Sequence, residues 1–111
     1  MKKINEDKIY GQVNTPTWNV NQILNMVEYS GTSIINKYIM EPSCGDGAFM
    51  VEIIKRYISE CLLSNIPDHI IIENLGKYIY GIELDEVEYN KCITNLNSIV
   101  HSVLGDYDVD W

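Results

Sequence analysis

The chain has 111 residues, 46% hydrophobic and 22% charged, which fits one soluble globular domain, or part of one, and excludes a disordered chain. Eight basic against 16 acidic residues leave a net charge of −8. That argues against a stand-alone nucleic-acid binder, because duplex binding rests on Lys and Arg neutralising phosphates. No apolar run is long enough to cross a membrane, and the polar start, Met1 to Lys8, lacks the apolar core of a secretory signal. The expected location is the cytoplasm. Cys44, Cys61 and Cys92 form no C-x-x-C pair, and the chain has only two histidines, His69 and His101. Neither a disulfide framework nor a metal site is expected, and the thiols read as buried groups in a reducing compartment.

Residues 1–10 are polar and read as a flexible N-terminus; residues 11–111 read as a single folded unit. Gly11 to Pro16 reads as a loop, since the residue before a proline is pushed out of the helical region. A helix is predicted from Trp18 to Tyr29, with Val20, Ile23, Leu24 and Val27 on one face. Thr17 is its expected N-cap, and Gly31 lies just past its end. Tyr38-Ile39-Met40 reads as a strand ending at Glu41-Pro42. Ser43 to Gly47 reads as a tight loop. Ala48 to Ser64 is a predicted helix, with Phe49, Ile53, Ile54, Tyr57, Ile58, Cys61 and Leu62 on its apolar face. Pro67 is placed as the first residue of another helix, running to Leu75 and stopped by Gly76. Tyr78 to Glu83 reads as a second strand. Asp85 is the expected cap of a further helix carrying Val87, Cys92, Leu96 and Ile99, with Glu88 as its capping-box partner. A last strand is predicted from Val100 to Leu104, ending at Gly105-Asp106.

Strands alternating with helices predict an α/β, Rossmann-like fold with a parallel sheet of about three strands. Such sheets bind ligands beyond the carboxyl ends of their strands. All three predicted strand ends carry acids: Glu41 and Asp46 around the glycines, Glu83, and Asp106. Gly45-Asp46-Gly47 can bring backbone close to a ligand. It lacks the Lys of a phosphate-binding loop and the third glycine of a dinucleotide fingerprint. Acids there suit a ligand with a positive centre or with hydroxyl and amino donors. Glu83 can accept from two vicinal ribose hydroxyls, and Asp106 can accept from a purine amino group. Each feature alone is also what an ordinary turn or surface acid provides. One adenosine-bearing ligand accounts for all three together.

These segments resemble the N-terminal part of S-adenosylmethionine-dependent N6-adenine DNA methyltransferases of restriction–modification systems. Gly11 to Pro16, ending in Thr15-Pro16, resembles the segment that lies over the methionine moiety. Glu41-Pro42-Ser43-Cys44-Gly45-Asp46-Gly47-Ala48-Phe49 resembles the methionine-binding loop. Gly81-Ile82-Glu83-Leu84-Asp85 resembles the ribose-binding strand end, and Gly105-Asp106 the adenine-contacting one. The resemblance implies S-adenosylmethionine as cofactor. The residues it implicates are Thr15, Pro16, Glu41, Pro42, Cys44, Gly45, Asp46, Gly47, Phe49, Glu83, Leu84 and Asp106.

The family positions its target adenine with a Pro-Pro motif. Here Pro16, Pro42 and Pro67 are the only prolines, so no catalytic residue is assigned. The expectation is an N-terminal fragment of a methyltransferase catalytic domain, inactive alone, that meets DNA only through regions outside this chain. The strand ending at Glu41 would then lack a neighbour, which predicts homodimerisation through the Tyr38–Glu41 edge. Two other readings stay open: methylation of RNA or of protein amides, and a non-catalytic dimerisation or regulatory module.

Overall fold

The computed structural model describes residues 2–3, 17–41 and 47–111. The elements are β1 (Lys2–Lys3), α1 (Thr17–Met26), a 3-10 helix (Thr32–Asn36), β2 (Ile39–Glu41), α2 (Ala48–Leu63), α3 (Asp68–Tyr78), β3 (Ile79–Glu83) and α4 (Glu86–Val103). The strands form a parallel sheet in the order β1-β3-β2. The protein is therefore α/β with about three strands, as the alternation predicts, but the third strand is not the expected one. Lys2–Lys3, expected to be loose, pair with Ile82 and Glu83. The rest of the expected flexible segment, residues 1 and 4–10, lies outside the described residues, as does the loop 11–16.

The predicted strand from Val100 to Leu104 is instead the end of α4. Cys92, Leu96 and Val100 are all fully buried. They recur every four residues, so continuing the helix keeps Val100 in the core, and packing overrides the β-propensity of its side chain. α4 carries 18 residues, a length of about 27 Å at the usual helical rise. It leads from the carboxyl end of β3 back to the opposite end of the sheet. There the last residues turn back over the helices: Trp111 Nε1 donates to Asn97 Oδ1 at 2.7 Å, and His101 Nε2 donates to the Tyr107 carbonyl at 3.1 Å.

Other boundaries differ for local reasons. Thr17 is the first residue of α1 rather than its cap. That helix ends before Gly31, because Glu28 adopts the left-handed conformation (φ 60°) and the Tyr29 N–H reaches back to the Leu24 carbonyl at 2.9 Å. α2 closes in the same way, with Asn65 at φ 58° and Ile66 N–H on the Cys61 carbonyl. Both endings satisfy orphan carbonyls without glycine. Pro67 is extended (ψ 147°) and precedes α3 as its cap. Gly76 does not stop α3. It lies inside it, where a Cβ would collide with the Asp110 carbonyl. Its smallness admits the C-terminal residues rather than ending a helix. β3 accordingly starts one residue late, at Ile79.

The core lies between the helices and one face of the sheet. Val20 and Leu24 of α1 enter it, together with Met50, Ile53, Ile54, Tyr57, Ile58 and Cys61 of α2 and Ile71 and Leu75 of α3. Ile23, Val27, Leu62 and Val87, expected on apolar faces, are exposed. Arg56 locks α1 onto α2. Its Nη1 donates to Asn25 Oδ1 (2.8 Å) and the Tyr29 carbonyl (2.9 Å), and its Nη2 to the Asn21 carbonyl and Oδ1 (both 3.0 Å). These charge-assisted bonds satisfy backbone at the end of α1.

Alternation along the strands separates two faces. Ile79, Gly81 and Glu83 are buried on the helix side. Met40 and Tyr80, partners in register, face away and are 60% and 43% exposed. Tyr38 stacks near-parallel on Tyr80 (6.4 Å between ring centroids) and meets Tyr78 edge-on at 4.8 Å. Among the described residues no strand pairs with the far side of β2, and no helix is long and apolar enough to cross a membrane.

Candidate functional site

The carboxyl ends of β2 and β3 lie side by side. Glu41 ends β2 opposite Gly81, and β3 runs two residues further, to Glu83. Glu83 is 1% exposed. A carboxylate so buried must find donors, since an unpaired buried charge is costly. Its Oε2 accepts the backbone N–H of Asp85 at 2.7 Å, across the bend at half-buried Leu84. Asp85 then caps α4, its Oδ1 accepting the Glu88 N–H at 3.0 Å. That half of the expected capping box is present. The reciprocal half is not, because Glu83 satisfies the Asp85 N–H while the Glu88 carboxylate lies 3.5 Å from Lys91 Nζ.

Gly47 caps α2 in the left-handed conformation (φ 94°, ψ 14°). Its carbonyl accepts the Val51 N–H at 2.7 Å. Gly47 is buried, and a Cβ there would lie 2.9 Å from Cys92 Sγ on α4. Both the conformation and the space therefore call for glycine. Phe49, the second residue of α2, is half-buried against the core.

Of the twelve residues implicated by sequence, Glu41, Glu83 and Leu84 lie at or just past these two strand ends, and Gly47 and Phe49 at the start of α2. Asp106 is not among them. It is exposed, beyond the C-terminal end of α4. With no strand before it to return it to the carboxyl edge, it stands a helix length from Glu83. Thr15, Pro16, Pro42, Cys44, Gly45 and Asp46 lie outside the described residues. Cys92 is the neighbour that sequence reasoning treats only as core. No spacing rule connects it to Gly47, 45 residues away in the chain. Among the described residues, no group of three or more His, Cys, Asp or Glu side chains is placed to hold a metal ion. The groups with displaced proton affinity, Tyr29, Tyr57 and Cys61, lie in the core between α1 and α2.

The described residues form helices around a small parallel sheet, with a buried acid at the end of β3 and a glycine turn at the start of α2. The chain belongs to the N-6 DNA methylase family, whose family model matches residues 1–109. The match spans every segment on which the sequence resemblance rests, and marks the chain as related to DNA methyltransferases. No curated protein and no solved structure matches it.

Proposed function

We propose that this chain is the S-adenosylmethionine-binding part of an enzyme that methylates the N6 amino group of adenine in DNA, built on a Rossmann-like methyltransferase fold. The observation that carries the reading is Glu83: a buried carboxylate, oriented by the Asp85 N–H, at the carboxyl end of β3. A carboxylate at a strand end can accept from both hydroxyls of a ribose diol. The donor set therefore fits an adenosine-bearing cofactor. Glu83 takes the ribose hydroxyls, and the turn at Gly47 gives the cofactor access to backbone at the start of α2. The bound cofactor supplies a methyl group on a sulfonium centre. This chain's residues bind and orient it.

The 111 residues contain no adjacent prolines. On this reading they bind cofactor, while positioning of the adenine and contact with DNA fall to other residues, and the chain is inactive alone. The setting is a restriction–modification system in the cytoplasm. The family match favours DNA over RNA or protein amides as substrate. The absent Pro-Pro pair supports a second reading, a non-catalytic module derived from a methyltransferase.

Calorimetric titration of S-adenosylmethionine into the purified chain tests the proposal. Binding that weakens about tenfold to a hundredfold in Glu83→Gln, the loss expected for a charge-assisted bond, supports the ribose role. Equal affinity in that variant refutes it. No binding at millimolar cofactor favours the non-catalytic module.

A further inference from the structure

The wall behind the Gly47 turn is α4. A Cβ on Gly47 would meet Cys92 Sγ at 2.9 Å and Cys92 Cα at 3.3 Å. The second distance matters more, since a thiol can rotate away and helix backbone cannot. Both residues are buried. This packing sets the seat of the first turn of α2 against α4. The same helix reaches the other half of the site through its N-cap, where the Asp85 N–H holds Glu83. Cys92 lies seven residues beyond Asp85, about 10 Å along the axis. One rigid helix thus touches both the acid and the turn.

We propose that Cys92 is a positioning residue for cofactor binding: the small side chain at this point of α4 sets how closely the Gly47 turn is held to the strand end bearing Glu83. The inference rests on the cofactor reading above. A larger side chain at 92 would push the start of α2 away from α4 and separate the two halves of the site. A smaller one would leave the backbone contact in place.

The test compares Cys92→Ala and Cys92→Leu with the wild type by S-adenosylmethionine calorimetry and by hydrogen exchange. Cys92→Ala is expected to bind within about threefold of wild type, and Cys92→Leu at least about tenfold more weakly. In Cys92→Leu, exchange should rise at amides 48–51 and not at amides 57–61 further along α2. Equal affinity of Cys92→Leu and wild type would overturn the proposal. So would faster exchange spread evenly over α2, the sign of general loosening. Should Cys92→Leu fail to fold, the wild type gives a second measurement. Cys61 and Cys92 are both fully buried reduced thiols, and iodoacetamide labelling can be read at each by mass spectrometry. Cofactor is expected to slow labelling of Cys92 more than that of Cys61. Equal protection would overturn the proposal, because global stabilisation by a ligand shields both alike. A wild type that binds no cofactor would instead overturn the cofactor reading, and this inference with it.

Discussion

Glu83 Oε2 accepts the backbone N–H of Asp85 at 2.7 Å, so the acid that ends β3 also shapes the turn into α4. Two substitutions separate these tasks. Glu83→Ala leaves the Asp85 N–H without its acceptor and should cost about 1–3 kcal/mol of stability. Glu83→Gln keeps an acceptor oxygen for Asp85 but loses the charge. Urea unfolding should find Gln closer to wild type than Ala, while calorimetry should find both weak for cofactor. Equal stability losses in the two variants would mean that the bond to Asp85 contributes nothing.

Two buried tyrosines of the core should respond in opposite directions. Tyr57 donates to the Ile35 carbonyl at 2.6 Å, tying the 3-10 helix to α2. Tyr57→Phe removes that bond and should lower stability by about 1 kcal/mol. The Tyr29 hydroxyl is buried and finds no hydrogen-bond partner among the described residues. Tyr29→Phe should be neutral or stabilising by up to about 1 kcal/mol, since it removes an unsatisfied polar atom. Denaturant midpoints of the two variants read the contrast directly.

The same groups predict alkaline sensitivity. Burial pushes the Tyr29 and Tyr57 phenols and the Cys61 thiol above their usual values. Above those usual values the unfolded chain has lost protons that the folded one retains, so stability falls as pH rises. Stability should be fully present below about pH 8 and decline from about pH 9 upward, as first the thiol and then the phenols ionise in the unfolded chain. Urea midpoints measured from pH 7 to 11 check this, and Tyr29→Phe should flatten the decline. A midpoint constant to pH 11 would count against the burial of these groups.

The far side of β2 carries no strand among the described residues. The edge strand of a sheet is a template for a second copy, and the expected homodimer through Tyr38–Glu41 would form there. Sedimentation should detect concentration-dependent dimerisation, weakened by Met40→Pro, which removes a backbone donor from β2. A monodisperse monomer at high concentration would exclude the dimer.

Where local chemistry decides, the sequence is legible. The apolar period of α2 places it within one residue, and Asp85 with Glu88 marks the start of α4. Glu41 and Glu83 are found at the strand ends where the alternation puts them. What is not legible depends on contacts between distant segments. Val100 reads as strand by its side chain, yet Leu96 and Cys92 hold it in a helix. Gly76 reads as a helix stop until Asp110 is seen against it. Asp106 loses its expected place because the strand before it does not form. Cys92 reads as one more core residue until Gly47 is packed on it.

The exposed Tyr38, Met40 and Tyr80 face has a consequence for colloidal behaviour. Molecules carrying −8 repel one another at low ionic strength, and that repulsion holds their sticky faces apart. Salt shortens its reach to about 10 Å at 0.1 M and leaves apolar attraction intact. Added salt should therefore drive these molecules together, whereas an association built on ion pairs would dissolve.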